Sequence, residues 1–220
     1  MTSLQLIDNL SPQLYLKDTV EKALQMMTEY KASHLPVVED QKFLGLISEG
    51  DLSNEEDNNT TLEFLQSGLL SAGVDGSTHF LKAVAICNLY HTNVVAVTGD
   101  NNELLGTISS EALISALGSL CGSSENGAIV VLQIERIKYS ISEINNIVES
   151  NGASILHLNV LPNPLSHSLE VTLQINKKEI STIVATFGRY EYSVSFYSGE
   201  ELFDNEISAN YNHLLNYLRI

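Results

Sequence analysis

The sequence predicts an α+β protein in two parts: a tandem repeat of small βαββα units, followed by a split βαββαβ domain. Three observations lead there. A helix-and-hairpin pattern in residues 18–52 returns about 60 residues later. A glycine- and serine-rich stretch follows at 119–127. Beyond it the chain changes to longer strands separated by two amphipathic helices.

In the first repeat, Asp18 reads as a helix start with Glu21 three residues on. Val20, Ala23, Leu24 and Met27 then share one helical face. His34-Leu35-Pro36-Val37-Val38 is a short apolar strand, Glu39 to Lys42 a polar turn, and Phe43 to Ile47 the return strand. Ser48-Glu49-Gly50-Asp51 closes the unit and opens a helix. The lead before it carries Leu4, Leu6, Ile7 and Leu10 and feeds a first strand. The acidic stretch 53–59 reads as a solvated loop, Thr60–Leu70 as a short helix, and 71–77 as a turn-rich bridge.

The second repeat places Phe80, Ala83, Val84 and Cys87 on the equivalent helix face. It places Val94 to Val97 on the equivalent strand, and Leu104 to Ser109 on the return strand. A small unit in tandem implies that neither copy buries its apolar face alone, so the two should pack together.

Asp18-Thr-Val-x-x-Ala23, Leu35-Pro-Val-Val and Gly45-Leu-Ile-Ser-x-x-Asp51 resemble a CBS domain, and the pair resembles a Bateman module over residues 1–118. In the second copy Ala96 stands at the proline position and Ala112 at the aspartate position. The resemblance implies a pseudo-symmetric disc with adenine-nucleotide clefts between the copies, and a homodimer of two such pairs.

After the linker, Ala128 to Ile134 is an apolar strand. Ser140 and Glu143 cap a helix bearing Ile141, Ile144, Ile147 and Val148, which Asn151-Gly152 ends. Residues 154–160 form a strand. Leu169, Val171, Leu173 and Ile175 alternate as a half-buried strand, Glu179 to Arg189 is a second helix, and Val194 to Tyr197 is the last strand. The β-α-β-β-α-β order is the ferredoxin-like arrangement. Ile129 to Ile134, Ile144 to Ile155 and Leu169 to Ile175 resemble the ACT family, whose members often bind amino acids. The loop after the first strand, Glu135 to Tyr139, lacks the glycine usual in ligand-binding members. The expected role of this half is therefore dimerisation. The domains are accordingly 1–118, a linker at 119–127, 128–198, and a tail at 199–220 whose Tyr211, Leu214, Leu215 and Leu218 fall on one helical face.

Composition limits the partners. A net charge of −16 argues against nucleic acid and against anionic membranes, both of which need clustered Lys and Arg. The sequence holds no apolar run of membrane-spanning length, and Met1-Thr-Ser-Leu does not read as a signal peptide. Two cysteines, Cys87 and Cys121, make no disulfide framework, so a cytoplasmic location is expected. The six histidines show no metal-ligand spacing. No nucleophile elbow or glycine-rich phosphate loop is present, so no enzyme, metal or required cofactor is expected.

One constellation carries a mechanism. Asp51 is placed to accept both ribose hydroxyls, as carboxylates do in other nucleotide sites. Ser48 and the helix start could donate to phosphate. The backbone at His34 and Leu35 could pair with an adenine edge, and Lys17 and Thr19 could reach phosphate. The ligand expected is AMP, ADP, ATP or S-adenosylmethionine. The bland alternative is that Asp51 only caps a helix and Ser48 only closes a turn. The functional expectation is thus a ligand-sensing regulatory protein acting on an unidentified protein partner. The alternative is a non-catalytic interaction module with vestigial clefts.

Overall fold

Every strand and helix of the N-terminal unit is built twice. The first copy runs β1 (Leu14–Tyr15), α1 (Val20–Tyr30), β2 (His34–Glu39), β3 (Lys42–Ser48), α2 (Glu49–Ser53). The second runs β4 (Gly73–Asp75), α3 (Leu81–Tyr90), β5 (Val94–Thr98), β6 (Leu104–Ser109), α4 (Ser110–Leu120). Each copy has a three-stranded sheet, ordered β1-β2-β3 and β4-β5-β6, with the first pair parallel and the second antiparallel. The computed structural model describes residues 1–7, 12–164 and 167–199. The chain divides into two units, Met1–Leu117 and Gly118–Ile220.

The repeat extends to backbone detail. α1 and α3 end on Lys31 and His91, sixty positions apart, both left-handed at φ 52° although neither is glycine. Asp40 and Gln41 both take positive φ, the two-residue turn whose twist suits a hairpin. The two hairpin tips pair reciprocally. Phe43 N donates to Asn102 O at 2.9 Å, and Leu104 N donates to Gln41 O at 3.0 Å; the two bonds exchange under a shift of 61 (43 to 104, 41 to 102). Phe43, Leu46, Ala72 and Ala96 form a buried cluster drawn from both copies.

The two copies also exchange their leading segments. Leu70, on the approach to β4, trades two backbone bonds of 2.8 Å with Leu46 in β3 of the first copy. Met1 to Ile7 lies against the second copy: Ser3 N donates to Thr78 O, Leu4 N donates to Gly76 O, and Leu6 and Ile7 pack on the apolar cluster around Phe80. These crossings account for Gly45 and Gly106, which are equivalent positions. A Cβ at Gly45 would sit 2.7 Å from Leu69 Cβ and 2.9 Å from Leu70 O; at Gly106 it would sit 2.4 Å from Ile7 Cγ2. Only glycine lets the crossing chain come so close.

Several expectations are corrected here. The N-cap of α1 is Thr19, not Asp18. Thr19 is the extended residue next to the helix, and its hydroxyl accepts from Lys22 N. Asp18 instead accepts from Tyr15 N and from Lys22 Nζ. The bridge at 71–77 contains β4, because Val74 has core to fill beneath it. The stretch 60–70 holds a 3-10 helix over Leu62–Gly68, of which only Leu62 is fully buried. The tail at 200–220, Leu10 and Ser11 lie outside the described residues.

In the C-terminal unit the elements are β7 (Ala128–Glu135), α5 (Ile141–Ser150), β8 (Ile155–Pro162), β9 (Ser168–Ile175), α6 (Ser181–Arg189) and β10 (Ser193–Ser198). They form one antiparallel sheet ordered β10-β7-β9-β8. Alternation works as expected: Val130, Leu132, Val171 and Leu173 face the core, with Ile144, Val148, Ile183 and Phe187 of the two helices upon them. The capping box at Ser140 is only half made. Ser140 Oγ accepts from Glu143 N, but the Glu143 carboxylate accepts instead from the Tyr192 hydroxyl. The Gly/Ser stretch is tied to this unit through Gln174 Nε2, which donates to Gly122 O at 2.6 Å.

Candidate functional site

The first cleft lies where β2 begins and β3 gives way to α2. Antiparallel register sets His34 opposite Ser48 and Leu35 opposite Ile47. Ser48 is the N-cap of α2, its hydroxyl accepting from Asp51 N at 3.0 Å and donating to Asp51 Oδ2 at 2.6 Å. The cap is thus Ser48, and Asp51 is the third residue of the helix, with an exposed carboxylate. β1 covers only Val37 and Val38 of β2. Among the described residues, the β2 edge at His34 to Pro36 has no strand beside it on that side. Leu35 has no exposed side chain and offers only its backbone.

The expected set is therefore gathered in part. His34, Ser48 and Asp51 come together, with the Leu35 backbone beside them. The Thr19 hydroxyl accepts from Lys22 N as the cap of α1, and its backbone bridges Thr61. The loop that carries Thr61 lies along this junction, with Val20 N donating to Thr60 O and Leu62 N to Asp18 O. Lys17 is exposed at the turn before it.

Two residues that sequence reasoning passed over fix the state of His34. Asn93 Oδ1 accepts from Ser33 N at 3.1 Å and from Ser33 Oγ at 2.8 Å, while Asn93 Nδ2 donates to Lys31 O. That orients the amide. It also commits the single Ser33 hydroxyl proton to Asn93. Ser33 Oγ lies 2.9 Å from His34 Nδ1, so the neutral ring must donate from Nδ1 and keep its lone pair on Nε2. Burial lowers the His34 pKa from its ordinary value, and the Asp51 charge works the other way. Ser33 and Asn93 occupy equivalent positions in the two copies, each just before the central strand, which is the signal that could have singled them out.

Beside Asp51, a cavity of about 270 Å³ opens between α2 and the 3-10 helix. Asp51, Asn54, Glu55 and the exposed ring of Phe64 line it. Of the six expected residues it includes only Asp51.

The second cleft keeps the frame and lacks the carboxylate. Ser109 Oγ accepts from Ala112 N at 3.2 Å, the counterpart of the Ser48–Asp51 bond. Ala112 packs against the apolar cluster of the second copy.

In the C-terminal unit a cavity of about 370 Å³ lies at the end of β7. Glu135, Lys138, Glu143, Tyr190, Glu191 and Tyr192 line it. Burial, and then the bond to Glu143, push the Tyr192 pKa up, so its hydroxyl stays a donor. Among the described residues no group of three or more His, Cys, Asp or Glu is arranged to hold a metal. None of the described helices is long and apolar enough to cross a membrane.

Comparison with known proteins agrees with this geometry. Residues 12–57 match the CBS domain, so a CBS domain is present there. A CBS domain pair/ACT domain protein from Thermotoga maritima superposes with a TM-score of 0.50 at 19% identity, covering 54% of this chain and 98% of its own. That is about the share that Met1–Leu117 makes up, 117 of 220 residues. The CBS domains of a transcriptional regulator from Streptococcus pneumoniae match at 20% identity and a TM-score of 0.46, over 52% of this chain and 98% of that one. A CBS domain pair in complex with 5′-methylthioadenosine and S-adenosyl-L-methionine matches at 16% identity and 0.45, over 54% and 97%. At 19% identity the first of these likenesses speaks for the fold alone.

Proposed function

We propose that this chain is a ligand-sensing regulatory protein whose first cleft takes an adenosine-containing ligand, with AMP, ADP, ATP and S-adenosylmethionine the candidates. The observation that carries this is the grouping of His34, Ser48 and Asp51 at the uncovered end of β2, inside the segment that matches a CBS domain. Asp51 presents a carboxylate for two ribose hydroxyls. The His34–Pro36 edge supplies backbone groups for the base, and the neutral His34 ring contributes an acceptor at Nε2. The second cleft, with Ala112, binds no ribose.

The remaining roles follow from the same picture. The chain has no catalytic function. It acts through a protein partner, as a homodimer, in the cytoplasm. Residues 1–118 form a tandem CBS pair of Bateman type and 119–127 a linker. Residues 128–198 form an ACT-like, ferredoxin-like domain, for which the strand order β10-β7-β9-β8 and the two helices on one face are the support. Its loop Arg136–Lys138 carries no glycine, so this half serves dimerisation rather than amino-acid binding. The tail from 199 onward acts as a structural cap.

A second reading has an observation of its own. Ser48 and Asp51 satisfy each other, which is what a cleft retained only for structure would show. A thermal-shift screen with AMP, ADP, ATP, S-adenosylmethionine and the amino acids separates the two. A ligand that binds only the folded state raises the melting temperature by mass action. A rise with one adenosine compound and none with amino acids supports sensing. A flat screen, with no nucleotide co-purifying by mass spectrometry, supports the interaction module.

A further inference from the structure

Ser33 and Asn93 are equivalent residues sixty positions apart, each half-buried just before the central strand of its copy. Across the pseudo-symmetry they make an unequal contact. Asn93 Oδ1 takes both Ser33 donors, the backbone N at 3.1 Å and the hydroxyl at 2.8 Å. A flipped amide would set two donors, Nδ2 and Ser33 N, against each other, so the bonds allow only this orientation. The hydroxyl has one proton and has given it to Asn93. It meets His34 Nδ1 at 2.9 Å with lone pairs alone, which obliges Nδ1 to carry the ring proton. His34 is 8% exposed. Its Nε2 bonds to none of the described residues and, unlike Thr107 Oγ1 and Ser181 Oγ, is not sealed from solvent. The ring is thus a buried group with one open lone pair, at the uncovered end of β2 opposite Ser48. Val94 holds the equivalent place in the second copy and packs into the core of the first, so the second cleft has no such acceptor.

We propose that Asn93, a positioning residue supplied by the second copy, decides which purine the first cleft takes, by holding the His34 lone pair toward the base. This rests on the proposal that the first cleft binds a nucleotide with its base along His34–Pro36. At its 6-position adenine presents an amine that donates, whereas hypoxanthine, like guanine, presents a carbonyl that only accepts. The Nε2 lone pair completes a hydrogen bond with the amine and stands acceptor to acceptor against the carbonyl. A buried polar group left unpaired by the wrong ligand is what makes a hydrogen-bonding site selective. The backbone edge cannot make this choice alone, since each residue other than proline offers both an N–H and a C=O. The tautomer can, because it presents one of the two. Without the Asn93 acceptor, the Ser33 hydroxyl is free to donate to Nδ1. The ring then gives up its Nδ1 proton and takes one at Nε2 through solvent, with no change of charge, and the acceptor becomes a donor.

Two readouts on the full chain test this, one of them without ligand. Nitrogen-15 NMR of the histidine rings above about pH 7, with His34→Gln to identify the signal, should show His34 protonated at Nδ1. Asn93→Ala should move that proton to Nε2. In calorimetric titration the wild-type chain should bind AMP at least about tenfold more tightly than inosine 5′-monophosphate. Asn93→Ala should erase or reverse that ratio. Should it fold poorly, Ser33→Ala, which removes the hydroxyl alone, should release the tautomer and collapse the ratio in the same way. A preference for AMP that both variants leave unchanged, or a wild-type His34 protonated at Nε2, would overturn the role of Asn93 alone. Binding of neither nucleotide, with His34 still protonated at Nδ1, would overturn the nucleotide reading of the cleft and the base choice with it.

Discussion

The two copies of the N-terminal unit share a frame and differ in what they expose. Both use a serine to cap the helix after the return strand, Ser48 and Ser109. Both end their first helix on a left-handed residue, and both yield a glycine to the other copy's leading segment. The first copy puts a carboxylate behind its serine and charges on its outer helix. The second puts Ala112 behind its serine and leucines on its outer helix. The lesson is a division of labour. Frame positions answer to backbone geometry and stay alike, while positions facing the cleft and the outside are free to differ.

The largest effect should come from the second copy's core. Phe80 is 1% exposed where the first copy has Val20. Phe80→Ala should destabilise by about 3–5 kcal/mol, against about 2 kcal/mol for Val20→Ala, which removes two methyl groups. Denaturant unfolding of both variants reads the difference. Equal losses would say that Phe80 is not the anchor of its copy.

The crossings come next. Gly45→Ala drives a Cβ into Leu69 and the Leu70 backbone, so the crossing segment must shift, at about 1–3 kcal/mol. Gly106→Ala drives a Cβ into the Ile7 side chain at a φ of 157°, where an L side chain is strained whatever the space, and should cost at least as much. A Gly106→Ala chain of unchanged stability in chemical denaturation would mean that the N-terminal lead gives way freely.

The smallest effect is a pH dependence confined to the first copy. Burial lowers the His34 pKa below its ordinary 6.5, so the unfolded chain binds the proton more readily. Stability is then fully present above about pH 6.5 and is lost as the pH falls toward the folded value. Asp51 opposes the lowering, so Asp51→Ala should steepen the loss and His34→Gln should flatten it. Melting temperatures followed from about pH 7 to 5 decide this. Identical slopes in all three proteins would remove His34 from the account.

Much of this was legible in the sequence. Periodicity placed α1, α3, α5 and α6 and the strands β2, β3, β7 and β9, because their apolar residues recur at the spacing that burial demands. The CBS-like motif led to Ser48 and Asp51. What escaped was set by tertiary contact. β4 hid in a turn-like stretch because Gly73 and Gly76 flank the one residue, Val74, that the core needs. The loop that bridges the Thr19 backbone comes from Thr61, 42 residues further on. The tautomer of His34 depends on Asn93, 59 positions away in the other copy. Spacing along the chain carries no sign of such long-range partners.

The central claim is that the first cleft binds and the second does not. Calorimetric titration of the full chain with AMP tests it most directly, alongside Asp51→Ala. The account predicts one site per chain, weakened at least tenfold by the substitution. A carboxylate's charge-assisted hydrogen bond contributes about 1.5–3 kcal/mol, and about 1.4 kcal/mol is one decade of affinity. Two sites per chain, or an affinity that Asp51→Ala leaves unchanged, would contradict it.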